Sequence, residues 1–302
     1  MQGYETKIYK DETFFIDEST GEYVPADICY IPKGSRIITP KQQEELKKKK
    51  MLLEEKRNND EEKKIRRTIT NKIGNFFFIM QNECFDGISP ENVTRLIYLL
   101  TYLNYDGKLM LTERKQITKA HLEKLLNVSN STVNRFLNET LQNYLSLNEN
   151  GLSVNNQNII FKGKIKRHLL YDKYQKFYID SIRTLYKQVK TKNHNKLGYI
   201  FKLLPYIHVE YNLICQNPFE ENFEDIKPLR FNEFCEIINY RVSNRYRLIR
   251  IYDSLKFDVG YGKQKFLSFV RYEDDYRMFV NPHILYCGIN FECVKVLGLF
   301  NK

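Results

Sequence analysis

The sequence predicts a mainly α-helical protein of the α+β class, in which small β-hairpins lie between the helices. Apolar residues recur at the helical spacing i, i+3 and i+4, as with Val93, Leu96 and Ile97. Short alternating runs flank turn residues, as in "LSLNENGLSV". The tripeptide V-S-N occurs at 128–130 and again at 242–244, each time before a run with helical spacing. We therefore expect a helical module that is present twice.

Length and charge narrow the class of protein. The 302 residues exceed the usual size of a single domain, and 42% of them are apolar, which is enough for ordinary cores. The formal net charge of +11 favours a polyanionic partner, such as nucleic acid or an anionic membrane surface. No stretch approaches the roughly 18 apolar residues that span a bilayer, and the N-terminus lacks the apolar segment of a signal peptide. We expect a cytoplasmic protein that binds no membrane.

The first 70 residues are predicted to form two small parts. Residues 1–38 place an S-T-G turn between two aromatic-rich runs, which predicts an N-terminal β-hairpin region. Residues 39–70 form a charged helical arm or linker, with Thr39 at the N-cap and Pro40 at the first helical position. Few apolar residues occur at 41–67. This part is either a solvated or partly disordered connector, a basic arm along phosphates, or a helix that self-associates or binds a protein.

Residues 71–168 are predicted to form the first folded module. Its first helix has Ser89 as cap and Pro90 at the first position, a short strand follows at "GKLML", and a second helix covers 118–127. A tight turn then leads into a third helix capped by Ser129, and a hairpin with an N-E-N-G turn comes last. Helix, strand, helix, tight turn, helix and hairpin is the order of a winged helix-turn-helix domain.

A second winged helix-turn-helix module is predicted at 196–302. Its segments "KLGYIFKLLPYI" and "LRFNEFCEIINYRVSN" resemble in sequence pattern the first two helices of the first module. Ser243 is the expected cap of its third helix. The run "KQKFLSFVRYEDDYRMFV" alternates across a Y-E-D-D turn, as a hairpin wing would. Residues 169–195 contain no Pro or Gly and are predicted to form a linking helix. The acidic insertion 215–228 is expected to loop away from DNA, because its carboxylates would repel phosphate.

The third helix of each module carries many hydrogen-bonding side chains outside its apolar stripe. In a helix-turn-helix this helix enters the major groove, where Asn can pair with adenine and Arg with guanine. Hydroxyl groups at the helix start and nearby lysines would contact phosphates. The expected DNA-binding residues are Ser129, Asn130, Ser131, Thr132, Asn134, Arg135, Lys162 and Lys164 in the first module, and Ser243, Asn244, Arg245, Tyr246, Arg247, Arg250, Lys263 and Lys265 in the second.

The first module also resembles a known group of proteins. Residues 76–137, which include "LLNVSNSTVNRFL", resemble the winged-helix module of replication and regulatory proteins carried by firmicute plasmids and phages. This resemblance implies a sequence-specific double-stranded DNA-binding protein of a mobile element, acting as a transcriptional regulator or a replication initiator. The two roles differ in whether the site lies at a promoter or at an origin. The resemblance implies no catalytic residue.

No enzyme motif occurs along the sequence. The five His residues form no His-x-His pair, and no phosphate-binding loop, dinucleotide-binding glycine motif or nucleophile elbow is present. The nearest approach to a metal site is His283, Cys287 and Cys293, but such cysteines are more typical of small buried side chains. We therefore expect no catalytic activity and no cofactor. The alternative to DNA binding is a non-catalytic protein-interaction scaffold that uses winged-helix modules for protein contacts.

Overall fold

The computed structural model describes residues 14–16, 23–25, 36–38, 44–54, 74–165, 173–258, 262–288 and 300. The chain divides into two compact units, residues 1–66 and residues 67–302. The α+β class expected from the sequence is confirmed, since helices and small antiparallel sheets both occur in the described residues. Within those residues, the helices are all too short or too polar to cross a bilayer.

The first unit contains three short strands and a helix in its described residues. Strand β1 (Phe14–Ile16) pairs antiparallel with β2 (Tyr23–Pro25), and its other edge pairs with β3 (Arg36–Ile38). The S-T-G residues lie outside the described residues. Helix α1 covers 44–54, and every one of these residues is exposed. The expected helix start at Thr39 lies outside the described residues.

The first half of the second unit contains helix, strand, helix, turn, helix and hairpin in that order. One strand precedes this set and a short strand follows it. The elements are β4 (Phe76–Met80), α2 (Pro90–Leu100), β5 (Met110–Thr112), β6 (Lys115–Gln116), α3 (Lys119–Leu126), α4 (Asn130–Thr140), β7 (Leu145–Asn148), β8 (Gly151–Val154) and β9 (Ile160–Phe161).

Helix α2 lies at the centre of this half. Ser89 occupies the N-cap position with extended backbone, and Pro90 follows where its missing N–H breaks no helical hydrogen bond. All residues from 92 to 100 are buried, so the helix is covered on every side. This full burial explains why the apolar residues of α2 extend beyond a single stripe.

The second half of the second unit has the same order of helices, but isolated bridges replace the strands between its counterparts of α2 and α3, and there are additions. Helix α5 precedes it, and an extra hairpin, β11–β12, comes before the hairpin β13–β14. The elements are β10 (Tyr174–Tyr178), α5 (Ile179–Gln188), α6 (His194–Lys202), α7 (Phe231–Ile237), α8 (Arg245–Asp253), β11 (Lys256–Asp258), β12 (Lys263–Lys265), β13 (Leu267–Tyr272), β14 (Asp275–Val280) and β15 (Leu285–Tyr286).

Two expectations for the second half are wrong. The single linking helix over 169–195 is not formed, because Tyr174–Tyr178 is a strand and the helix begins only at Ile179. This strand pairs with β4 on one side and β15 on the other, and these long-range pairings outweigh local helix propensity. Ser243 does not cap α8 either. It lies in a short 3-10 helix, Val242–Asn244, and α8 begins at Arg245.

The strand pairings show that the two halves are equivalent in topology. A four-stranded sheet has the order β15-β10-β4-β9, with β4 and β10 antiparallel at its centre. Each central strand begins a half, and the strand at its outer side, β9 or β15, follows the last hairpin of the same half. Because an antiparallel strand pair has a local two-fold axis, these pairings indicate an approximate two-fold relation between the halves.

Helices α2 and α6 occupy equivalent places and pack against each other. Thr94 Oγ1 donates to the carbonyl oxygen of His194 at 2.7 Å, and Lys202 Nζ donates to that of Ile88 at 2.9 Å, so the helices run antiparallel. A Cβ atom at Gly198 would lie 1.6 Å from the carbonyl oxygen of Pro90, so only glycine permits this close approach. One continuous apolar core extends from this contact into both halves.

Candidate nucleic-acid interface

The turn between α3 and α4 sets the position of the first candidate helix. Thr118 and His121 form a reciprocal capping box at the start of α3. Asn127 ends the helix in the left-handed conformation with φ of +52°, which reverses the chain within two residues. Val133 and Phe136 of α4 are fully buried, so the opposite face of α4 points away from the core.

That outer face carries the residues expected to bind DNA in the first half. Ser129, Asn130, Ser131, Asn134 and Arg135 are exposed, and Thr132 is half-buried. Arg135 is the only cationic residue of α4. The face is therefore polar and nearly uncharged, and it offers amide and hydroxyl groups more than positive charge.

The cap of α4 differs in detail from the expectation. Ser129 occupies the N-cap position, but its hydroxyl contacts the hydroxyl groups of Ser131 at 3.0 Å and Thr132 at 3.1 Å instead of a backbone N–H. Near the other end, Glu139 accepts hydrogen bonds from the backbone N–H and the hydroxyl of Ser89. Burial of this carboxyl opposes ionisation, but hydrogen bonds from Asn92 and Ser89 hold the pKa of Glu139 below its ordinary value. The carboxylate thus holds α4 to the start of α2.

The second candidate helix, α8, is more strongly charged. Leu248 and Tyr252 are buried, whereas Arg245, Arg247 and Arg250 are exposed. Ser243 and Asn244, in the preceding 3-10 turn, are exposed as well. Three arginines of this nine-residue helix are therefore accessible.

Tyr246 is accessible as well. Its side chain is 61% exposed, and the guanidinium of Arg245 lies 5.0 Å from the centre of its ring. Arg245 also donates to the hydroxyl of Tyr246 at 3.2 Å. A tyrosine left this accessible and paired with a cation is suited to contact a base or a sugar.

The four lysines expected to contact phosphates differ in availability. Lys164 and Lys263 are exposed. Lys162 is half-buried, lies 5.5 Å from the ring centre of Tyr105, and has its pKa lowered by burial and by Arg183. Lys265 forms a 2.6 Å salt bridge with Asp253, so its charge is already matched within the protein.

The hairpin β13–β14 carries cations that were not singled out from the sequence. Arg271 is exposed, and the guanidinium of Arg277 lies 3.7 Å from the ring centre of Tyr272. The alternation in "FVRYEDDYRMF" was the available signal, because folding the two strands about the turn places Arg277 on the same face as Tyr272 and Arg271 opposite Tyr276. Glu273 and Asp274 form the turn between the strands, so the tip itself is acidic. The equivalent hairpin of the first half, β7–β8, contains no cation.

The acidic insertion and the cysteine-containing segment near His283 have defined places in the structure. The insertion 215–228 is a loop closed by a bridge between Cys215 and Pro228; it contains a short 3-10 helix, its acidic residues are mostly exposed, and Cys215 and Ile226 pack in a small apolar cluster. Within the described residues, no group of three or more His, Cys, Asp or Glu side chains could hold a metal ion. His283 is buried against Gln264, with Nδ1 and Oε1 2.9 Å apart, and Cys293 lies outside the described residues.

Comparison of the chain with models of known families, with curated proteins and with solved structures finds no match. Its function is therefore inferred from its own residues. In the described residues, α4 and α8 occupy equivalent places and both expose polar side chains, with one cation on α4 and three arginines on α8.

Proposed function

We propose that the two halves of the second unit are tandem winged helix-turn-helix modules, and that the protein binds specific sequences in double-stranded DNA. It would act as a transcriptional regulator or a replication initiator of a phage or plasmid. The observation that carries this proposal is the pair α4 and α8. Each follows a short turn after the preceding helix, buries one apolar stripe and presents its polar face outward.

The chemistry of the two faces suits base recognition. Asn130 and Asn134 can each offer a donor and an acceptor to adenine, and Arg245 or Arg247 can donate two hydrogen bonds to guanine. Hydroxyl groups at the start of α4 and the lysines Lys164 and Lys263 are suited to hold phosphates. The base contacts would select the DNA sequence, and the phosphate contacts would set the position of the protein along the duplex.

The approximate two-fold relation between the halves supports the same proposal. Many helix-turn-helix proteins dimerise to place two equivalent helices in successive major grooves, about one helical turn apart. This chain has the two helices within one compact unit, so it needs no partner subunit to bind two half-sites. Because α4 and α8 differ in sequence, we expect an inverted pair of half-sites that differ in base sequence.

A protein-interaction scaffold is the second candidate function. Helix α1 favours it, because its apolar side chains are unusually accessible. Met51 and Leu52 are 69% and 64% exposed, which is typical of a helix that contacts another protein. Self-association or a protein partner through residues 41–67 is compatible with DNA binding by the second unit.

Selection from a random duplex pool tests the proposal. The full chain is incubated with duplex oligonucleotides, bound species are amplified over several rounds, and affinities for the enriched duplex are measured at rising salt. We expect two enriched half-sites and an affinity that falls steeply with salt, because phosphate contacts release counterions. No enrichment, together with a flat salt response and stable co-purification with a protein, would favour the scaffold.

A further inference from the structure

A cavity of about 810 Å³ lies beside the turn that leads into α4. We call it the α3–α5 cavity, because one wall is α3 and another is the end of α5 with the segment that follows it. Residues of α2 and of the β5–β6 region complete the lining. Its volume falls within the range of about 300 to 1,000 Å³ that is typical of small-molecule sites.

The lining has one sign of charge. Lys115, Lys124, Lys187 and Lys190 contribute to it, and the described residues that line the cavity include no Asp or Glu. All four lysines are exposed, so their ammonium groups reach solvent at the rim. A lining with four cations and no carboxylate favours an anionic ligand.

Aromatic rings form a second part of the lining. The rings of Tyr98 and Tyr186 stack with centres 4.0 Å apart and planes 10° apart. Tyr102 lies beside them, with the guanidinium of Arg183 4.5 Å from its ring centre. Each of these tyrosines lines the α3–α5 cavity. A planar group in the ligand would find apolar and aromatic partners here.

His194 is the buried histidine of the cavity wall. This residue lines the cavity and is only 2% exposed. Its Nε2 lies 3.2 Å from the carbonyl oxygen of Tyr186 and 3.1 Å from that of Val189, so Nε2 carries the proton. Burial lowers the pKa of His194, which favours the neutral ring and leaves Nδ1 as an acceptor. Among the described residues, Nδ1 has no hydrogen-bond partner.

We propose that the α3–α5 cavity binds a nucleoside phosphate. The phosphate groups would lie beside the lysines, and the base beside Tyr98 and Tyr102. A nucleoside phosphate combines negative charge with a planar ring, which are the two properties that this lining favours separately.

The position of the cavity connects such a ligand to α4. Leu126 and Asn127 line it, and Ser129 follows them at the start of α4. Tyr186, from the opposite wall, donates through its hydroxyl to the carbonyl oxygen of Leu126 at 2.9 Å. A bound ligand would hold the end of α3 and so fix the orientation of α4. This regulatory step, unlike the binding itself, rests on the proposed DNA-binding function.

Binding is measured by calorimetry on the full chain at about physiological salt, with ATP, adenosine and inorganic triphosphate as probes. We expect ATP to bind and each of the other two to bind at least about tenfold more weakly, because each lacks one half of the recognised chemistry. Triphosphate binding equal to that of ATP would overturn the nucleoside assignment. Absence of ATP binding at millimolar concentration would overturn the site.

Charge reversal locates the site. Lys124→Glu with Lys190→Glu removes two cations of the lining, and we expect ATP affinity to fall at least about tenfold. The matched control is Lys119→Glu with Lys192→Glu, which changes exposed lysines of the same helix and the same short segment that do not line the cavity. Equal loss of affinity in the two double variants would overturn the site.

A third measurement separates this proposal from the proposed function. The affinity for a selected duplex is determined with and without ATP. A change in affinity supports the link from the cavity to α4, and an unchanged affinity with intact ATP binding overturns that link alone. ATP binding by a chain that enriches no duplex would overturn the DNA-binding function and leave the nucleoside phosphate site supported.

Discussion

The two halves of the second unit share their strand pairings but differ in the charge of the helix that each presents. In α4 a single cation accompanies several amide and hydroxyl groups, whereas α8 carries three exposed arginines. Buried residues such as Phe136 and Tyr252 maintain the equivalent positions of the two helices. The comparison indicates that the buried residues determine where each helix lies, whereas the exposed residues can differ in charge without moving the helix. If the two helices bind DNA as proposed, we expect them to contribute unequally to its affinity.

We expect the largest effect from a substitution in the contact between α2 and α6, because this contact joins the two halves. Gly198→Ala would place a methyl group 1.6 Å from the carbonyl oxygen of Pro90, where backbone, not a flexible side chain, must move. We expect the free energy of unfolding to fall by about 3 kcal/mol or more, measured by urea denaturation.

Gly87→Ala is the control for this substitution. Gly87, unlike the helical Gly198, has a positive φ, at +74°, and no atom lies within 4 Å of the added Cβ. We expect a loss of about 1 kcal/mol from backbone strain alone. Similar losses in the two variants would contradict the close packing of the two halves.

The arginines of α8 give the next largest effect. Arg245→Ala or Arg247→Ala should weaken binding to a selected duplex by about 1 to 3 kcal/mol if the side chain contacts a base. Lys227→Ala, an exposed cation in the acidic insertion, is the control and should change affinity little. Gel-shift titration measures both. Unchanged binding in both arginine variants would exclude α8 as the principal source of affinity.

Acid sensitivity distinguishes the halves by a different property. The three histidines that are buried in the described residues, His194, His208 and His283, all lie in the second half. Burial lowers the pKa of each, and that of His283 to about 4. Unfolded histidine titrates near 6.5, so the unfolded state takes up protons that the folded state does not. Stability is therefore unaffected above about pH 6.5 and falls as the pH decreases toward 4.

His283 alone should account for about 2 kcal/mol of lost stability between pH 7 and pH 5. His283→Gln keeps a donor for Gln264 and removes the titration. We expect urea denaturation of this variant to show a correspondingly smaller difference between the two pH values. An undiminished difference would mean that other groups cause the acid sensitivity.

The sequence predicted the repeat and its elements where local patterns control structure. Val133, Phe136 and Leu137 recur at helical spacing, and they are the buried face of α4. The strand at 174–178 could not be predicted in this way, because it depends on pairing with β4 and β15, which are distant in sequence. Long-range pairing likewise determines the approximate two-fold relation.

The site shows a similar division between local and distant causes. Exposure of the expected residues on α4 and α8 follows from helical periodicity, since they lie off the apolar stripe. The salt bridge that occupies Lys265 joins two elements, and periodicity carries no information about it. The start of α8 depends on a 3-10 turn whose sequence, V-S-N, also precedes α4 without forming one. The same tripeptide therefore leads into the two helices with different N-cap residues, Ser129 for α4 and Asn244 for α8.

The smallest expected effect on affinity is that of Asn134→Ala, and comparing it with Arg250→Ala tests directly whether α4 and α8 contribute to binding in different ways. Asn134→Ala should cost about 1 kcal/mol on the selected duplex and leave the slope of log affinity against log salt unchanged, because an amide neutralises no phosphate. Arg250→Ala, at the far end of α8, should lower that slope by about one if it contacts a phosphate. Affinities from 50 to 200 mM salt distinguish the two outcomes. A changed slope for Asn134→Ala would mean that α4 contributes through charge after all, and the contrast between the two helices would fail.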